Sequence, residues 1–334
     1  MPASVKTIIN LLKEMVAIEK SNKQYFKIRA YNTVIENLQH HFDDSNVIIN
    51  EIEDLDEIEG VGKGIKKRIE EIIQNGSLEE VVENDETDAL KLFQSIHGIG
   101  PVKAKWLIEK GARSIDDLKT KKAARIYKLN DSQLVGIKYH EEFQKRIDRD
   151  EMDKHNQFIY DVLGTLEEPA RFNIAGSYRR GLPDSGDIDV ILTSRDLETA
   201  QSLFNSFIKE LQRVDYVTEV LALGDSKFMG VAKLPSNKKG ISRRIDVMVC
   251  SPQQYPFALL YFTGSQSFNI GMRKHALKMG YSLSEYGLKP TDDEKANKAN
   301  EKRLKTIKKE RDIFDFLGID YVKPTQRLRW NRKS

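Results

Sequence analysis

Two carboxylates stand two residues apart in Ser185-Gly186-Asp187-Ile188-Asp189, just ahead of the apolar run Val190-Ile191-Leu192. In an extended chain, residues i and i+2 face the same way. Asp187 and Asp189 therefore project side by side, where they can hold a divalent cation. Shortly upstream runs Gly176-Ser177-Tyr178-Arg179-Arg180-Gly181. A glycine-serine turn offers backbone N–H groups and a hydroxyl to phosphate, and a guanidinium binds phosphate through two parallel bonds. Metal-binding acids beside a phosphate-binding turn are the layout of a nucleotidyltransferase.

That chemistry needs a third acid, and Arg243-Arg244-Ile245-Asp246-Val247-Met248-Val249 supplies one inside a second strand-like run. A lone carboxylate among buried apolar residues is costly unless it has a partner. If the two strands are neighbours, Asp246 completes a cluster with Asp187 and Asp189. Three carboxylates can bind two Mg²⁺ ions about 3.5–4 Å apart, the spacing used for in-line phosphoryl transfer. Asp187 and Asp189 would bridge both ions, and Asp246 would bind the catalytic ion and could accept the proton of a primer 3′-hydroxyl. The bland alternative is a pair of exposed strand-end carboxylates plus one accidental aspartate. The glycine, serine and arginines ahead of them argue against it, because a motif gains force from its context.

Strands and helices must position these groups. From about residue 170 the pattern alternates: Phe172–Ala175, Asp187–Leu192, Phe228–Leu234 and Arg244–Val249 read as strands, Leu197–Gln212 and Ser267–Met279 as helices. The first 150 residues read as mostly helical, with apolar spacing over 5–20, 26–42 and 64–73. Residues 291–311 are a run of charge that predicts a solvated loop or hairpin.

A repeated pattern marks the helical region. Ile58-Glu59-Gly60-Val61-Gly62 and Ile96-His97-Gly98-Ile99-Gly100 each precede a helical stretch. They look like helix-hairpin-helix modules, whose glycines let the backbone approach a phosphate at a helix start. Carbonyls in such hairpins often hold a monovalent cation. The second copy fits better, with Ala104 as the small packing residue, while Lys66 occupies that place in the first. Such a turn can be only a turn, but two spaced copies suit backbone-directed, non-specific DNA binding.

With 334 residues, 31% of them charged and 39% hydrophobic, the chain reads as a soluble protein of two or more domains. No apolar run is long enough to span a bilayer, and the N-terminus carries no secretory pattern. One cysteine, Cys250, excludes an intramolecular disulfide framework, and with six scattered histidines it argues against structural zinc. Net charge is +3 but uneven: residues 1–90 hold 10 Lys/Arg against 19 Asp/Glu, the remainder 44 against 32. The basic remainder suits a polyanion; the acidic front does not.

Together, Gly-Ser-Tyr-Arg-Arg-Gly, Gly-Asp-Ile-Asp, Arg-Arg-Ile-Asp and Leu260-Tyr261-Phe262-Thr263-Gly264-Ser265 resemble the family X DNA polymerases, most of all the beta and lambda members. The likeness runs from Lys27 to the Glu310–Phe314 segment. It implies an α+β fold: a helical N-terminal lyase-like domain (1–86) and a DNA-binding subdomain (87–147), each with one hairpin module. A catalytic palm with a mixed sheet (148–255) and a small α+β nucleotide-selection subdomain (256–334) would follow.

The resemblance also implies roles. Arg146, Ser177, Arg180 and Gly186 match triphosphate contacts. Tyr261, Phe262 and Gly264 match the turn against the deoxyribose, where a bulky pair disfavours a 2′-hydroxyl. Asn269 matches the reader of the minor-groove edge, and Arg273 the contact to the templating strand. Lys27, Tyr31, Gly60, Gly62, Lys63, Gly98, Gly100, Lys103 and Lys227 match DNA contacts. The backbone carbonyls of Asp56, Ile58 and Val61, and of Gln94, Ile96 and Ile99, match monovalent-cation ligands for Na⁺ or K⁺. The implied cofactor is two Mg²⁺, with Mn²⁺ able to substitute. The implied partners are gapped or nicked DNA and dNTPs, with the protein monomeric, intracellular, and nuclear in a cellular eukaryote.

The family further implies removal of a 5′-deoxyribose phosphate by a Schiff-base lysine, and here the chain departs. Arg68 occupies the nucleophile position, and a guanidinium cannot form the imine. Lys67 is the substitute candidate, though it is rotated about 100° around a helix from position 68. Phe26, Asp56 and Gly64 also replace polar or basic residues. No exonuclease motif is visible, and neither an N-terminal interaction domain nor a C-terminal phosphoesterase-type extension fits within this length. Two other readings remain, a template-independent nucleotidyltransferase and a non-catalytic DNA-end-binding scaffold. Against the first stand the short connection Pro235 to Arg243 and the Tyr261-Phe262 pair; against the second stand all three acids.

Overall fold

The structure, a computed structural model, describes residues 2–42, 44–78, 81, 85–237, 240–291 and 298–330. It divides into two compact units, Met1–Lys138 and Tyr139–Ser334.

The first unit is mainly helical. Helix Val5–Ser21 starts at Ser4, whose hydroxyl accepts the Thr7 N–H at 3.1 Å, satisfying one of the free donors of a helix start. Its apolar stripe (Ile8, Leu12, Met15) is buried in one core with Val34 and Leu38 of helix Tyr25–His41 and Ile65, Ile69 and Ile72 of helix Lys63–Asn75. A second core gathers Phe93, Ile96 and Ile99 with Ala104 and Leu107 of helix Pro101–Glu109. Helix Asp131–Lys138 reaches this core through Gly136, where any Cβ would collide with the His97 carbonyl.

The second unit is built on five strands: β1 (Arg171–Ile174), β2 (Ile188–Thr193), β3 (Val217–Leu223), β4 (Lys227–Ala232) and β5 (Arg243–Val249). Their order across the sheet is β1-β2-β5-β4-β3. Only β2 and β5 are parallel; the other neighbours are antiparallel. Strand alternation sorts the two faces. Val190 and Leu192 of β2, with Val247 and Val249 of β5, join the core formed with helices Arg149–Gly164 and Leu197–Arg213. Ile191 and Met248 face the other way, toward Ala258 and Leu259 of helix Tyr255–Thr263. A third core joins that helix to helix Gln266–Lys278, the hairpin Tyr281–Ser284/Gly287–Pro290 and helix Glu310–Phe316.

Two expectations change. The charged stretch 291–311 contains helix Lys298–Lys305 and the start of helix Glu310–Phe316, not a loop or hairpin alone; residues 292–297 of that reading lie outside the described residues. Leu304 and Ile307 pack with the third core, which gives the charged helix an apolar side. Strand β3 is the second difference. It is an edge strand with register shifts after Val217 and Val220, and Val220 and Leu223 are exposed. An edge strand with bulges has no clean alternation for a sequence reading to find. Of the connection Pro235 to Arg243, residues 238–239 lie outside the described residues.

Candidate active site

Parallel pairing of β2 and β5 sets Asp189 directly opposite Asp246. Both share the face of Ile191 and Met248, just beyond the stretch of it that helix Tyr255–Thr263 covers. Asp187 lies immediately before β2 rather than within it, one alternation earlier on the same side. Oxygens of Asp187, Asp189 and Asp246 lie within 4.8 Å of one another.

Three anions so close repel, and burial adds to the cost of ionisation. Burial, with the charges of Asp187 and Asp246, pushes Asp189 well above the usual carboxylate range. Burial and Asp187 push Asp246 up to about 6, against the pull of Arg244. Arg244 forms an ion pair with Asp187. The Oδ1 of Asp246 is buried without a hydrogen-bond partner. An all-carboxylate donor set with an orphaned oxygen suits a hard divalent cation.

The glycine-serine turn lies against these acids. Gly176 has φ 55°, and a Cβ there would collide with the Asp189 carboxylate. Ala175 N–H donates to the Asp189 carbonyl at 2.8 Å, and Ser177 Oγ donates to Ser185 Oγ at 2.9 Å. A cleft of about 740 Å³ opens here, lined among others by Arg146, Ser177, Arg180, Gly186, Asp187, Asp189, Tyr261, Phe262, Gly264, Asn269 and Arg273. One surface thus brings together every nucleotide-contact candidate and two of the three acids.

Each candidate has a local anchor. Arg146 donates to Asp184 Oδ1 from Nε and Nη2 at 2.9 and 2.6 Å. Arg180 Nη1 donates to the Thr263 carbonyl at 2.6 Å, while its Nε is buried without a partner. Tyr261 and Phe262 form the last turn of helix Tyr255–Thr263, with their rings edge to face at 5.3 Å. Asn269 Nδ2 donates to the Tyr261 carbonyl at 2.6 Å. The Arg273 guanidinium sits 4.9 Å from the centre of the Tyr261 ring.

Residues 146–252 match the DNA polymerase beta palm and residues 258–328 the DNA polymerase beta thumb. Residues 91–144 match the fingers domain of DNA polymerase lambda, and residues 4–78 a helix-hairpin-helix domain. DNA polymerase lambda of Arabidopsis thaliana is 29% identical over 84% of this chain and 54% of its own length. DNA polymerase lambda of Rattus norvegicus is 30% identical over 81% of this chain and 48% of its own. The chain belongs to the family X DNA polymerases. DNA nucleotidylexotransferase of Xenopus laevis is also similar, 26% identical over 84% of this chain and 60% of its own length. The chain spans about half the length of the two lambda relatives.

Lys227, at the start of β4, lies apart from the cleft and pairs with Glu285 at 3.4 Å. The same glutamate lies 3.9 Å from Arg273. In the first unit the two hairpins of this family X chain are built alike. Gly60 and Gly98 are left-handed (φ 93° and 82°), and Gly62 and Gly100 cap the helices that follow. Within each hairpin, Val61 N–H donates to the Ile58 carbonyl and Ile99 N–H to the Ile96 carbonyl. The Asp56 and Gln94 positions stand two residues before those isoleucines. Ala104 is fully buried, while Lys66 forms an ion pair with Asp56 at 3.1 Å. Lys103 is turned inward: its amino group donates to the carbonyls of Tyr127 and Lys128 and lies over the Trp106 ring.

The lyase candidates all lie in the first unit. Lys63 and Lys67 are exposed, and Lys67 points away from the stripe of Ile65, Ile69 and Ile72. Lys27 is exposed and pairs with buried Glu19 at 2.9 Å. Tyr31 is buried in the core, with the Arg68 guanidinium 5.9 Å from its ring centre.

Two site features escape the sequence reading. Arg244 had a signal available, because it stands two residues before Asp246 on a strand and so shares its face. The second, the buried carboxylate of Glu310 behind the glycine-serine turn, had none: its partner Arg179 is 131 residues away.

Proposed function

We propose that this chain is a template-directed DNA polymerase that fills short gaps in DNA repair by nucleotidyl transfer. The observation that carries the reading is a cluster of three aspartates, two of which line one cleft with a glycine-serine turn and two arginines, Arg146 and Arg180. A divalent cation held by Asp187, Asp189 and Asp246, here taken as Mg²⁺ with Mn²⁺ able to substitute, would activate the primer hydroxyl and stabilise the leaving pyrophosphate.

The chain's own groups do the rest. Arg180 exchanges its bond to the Thr263 carbonyl for triphosphate oxygens, and its unpartnered Nε gives it a second donor. Ser177, Gly186 and Arg146 complete the phosphate cradle. Tyr261 and Phe262 close the sugar side, where their bulk opposes a 2′-hydroxyl. Asn269 reads the base edge, and Arg273 meets the templating strand. Asp246 takes the proton of the 3′-hydroxyl. Gapped or nicked DNA and dNTPs are the substrates. The hairpins hold the DNA backbone, each with a Na⁺ or K⁺ at its carbonyls. The four matched segments act as lyase-like domain, DNA-binding subdomain, palm and nucleotide-selection subdomain. The protein works as a monomer inside the cell, and in the nucleus of a eukaryote. Among the described residues no helix is long and apolar enough to cross a membrane. Deoxyribose phosphate removal is outside this reading, because Arg68 stands at the nucleophile position and Lys67 lies on an exposed face.

The test is extension of a primer on a one-nucleotide gapped duplex with each dNTP separately and Mg²⁺. Insertion of only the complementary nucleotide supports the reading. Insertion regardless of template would replace it with a terminal transferase, and tight binding without insertion with a DNA-end scaffold.

A further inference from the structure

Behind the cleft lies a buried ionic hub that the proposed chemistry does not use. Glu310 is 7% exposed and Arg327 fully buried. Glu310 accepts two bonds from Arg179, both at 3.0 Å, one from Arg327 at 2.6 Å and one from the Tyr321 hydroxyl at 3.1 Å. Arg327 also donates twice to the Val322 carbonyl. Burial alone would raise the Glu310 carboxyl, but the bonds from Arg327 and Arg179 hold it below the usual range. Apolar side chains of similar volume often stabilise a fold as well as a buried ion cluster does. What such a cluster adds is direction: each bond fixes a geometry.

The directions converge on one turn. Arg179 Nη1 also donates to Thr263 Oγ1 at 2.7 Å. From the other side, Ser265 N–H donates to the Arg327 carbonyl at 3.0 Å and Ser265 Oγ to the Leu328 carbonyl at 2.9 Å. Thr263–Ser265 joins the helix carrying Tyr261 and Phe262 to the helix carrying Asn269 and Arg273. The same C-terminal strap lays Trp330 on Gly271, where any Cβ would collide with the indole. Glu310, Tyr321, Arg327 and Trp330 do not line the cleft.

We propose that Glu310, clamped by Arg327 of the C-terminal strap, is a positioning residue for nucleotide selection. It sets the Thr263–Ser265 turn, and through that turn the placement of Asn269 against the incoming base. The proposal rests on nucleotide binding in the aspartate-lined cleft.

The experiment uses the full chain with Glu310→Gln, Tyr321→Phe and Arg327→Lys, each checked for folding by thermal melting. Single-nucleotide insertion on gapped DNA should show the KM for the complementary dNTP rising about tenfold in Glu310→Gln, with kcat within about twofold and correct-over-incorrect selection falling about tenfold. Tyr321→Phe, which removes one bond at a partly exposed site, should move the same quantities by about two- to threefold. A kcat loss that tracks the folded fraction, with KM and selection unchanged, would overturn the proposal. If Glu310→Gln does not fold, the other two variants decide. Equilibrium dialysis of Mg²⁺–dNTP without DNA separates this from the polymerase reading. Affinity about tenfold weaker in Glu310→Gln supports the hub even if the wild type inserts nothing; equal affinity sinks it even if insertion is normal.

Discussion

At the scale of single residues, the site is a place where function opposes stability. The proton on Asp246 stabilises the fold fully below the ordinary carboxylate value near 3.8, and that contribution is lost as pH rises through about 6. The difference amounts to about 3 kcal/mol. Asp246→Asn should therefore abolish incorporation yet raise the melting temperature of the metal-free protein at pH 7.5 by several degrees, with little change at pH 4. Mg²⁺ should raise the wild-type melting temperature and leave the variant where it is. A variant that melts below the wild type at pH 7.5 would refute this. Arg68→Lys tests the other departure: it should create or improve borohydride trapping of a 5′-deoxyribose phosphate, and no change would mean the surroundings are lost as well. The acid triad was legible because strand alternation fixes which side chains share a face. Glu310 was not, because nothing local marks the partner of a buried arginine 131 residues away.

At the scale of elements, the parallel pairing of β2 and β5 decides the site, and one anchor holds β5 in place. Arg243 at its start donates to Glu151 of helix Arg149–Gly164 at 2.8 and 2.7 Å, and His155 of that helix lies 3.6 Å from the same carboxylate. Burial would raise Glu151, but nearby His155 and the bonds from Arg243 hold it near 2. Its contribution is present above the ordinary value near 4.5 and lost as pH falls toward 2. Glu151→Gln should lower the melting temperature at pH 7 and narrow its gap to the wild type at pH 3; a constant gap would show that the ion pair adds nothing. Most strands and helices were legible from periodicity. Strand β3 was not, since bulges break its alternation, and helix Lys298–Lys305 hid behind a charge run whose apolar contact is Leu304.

At the scale of the whole molecule, charge divides the chain: residues 1–90 carry 19 acidic against 10 basic residues, the remainder 32 against 44. Binding to gapped DNA should weaken steeply with salt. Lys227→Ala and Arg273→Ala should each reduce the log–log slope by about one, as for a released phosphate contact. An unchanged slope would take that residue off the DNA. In the proposed reaction the three aspartates carry nucleotidyl transfer. The decisive measurement is single-turnover incorporation of a complementary dNTP into one-nucleotide gapped DNA, comparing Asp187→Ala with the wild type at matched DNA occupancy. The wild type should incorporate rapidly in the presence of Mg²⁺ and the variant not at all, with DNA affinity largely intact. Near-normal turnover by Asp187→Ala would contradict that role.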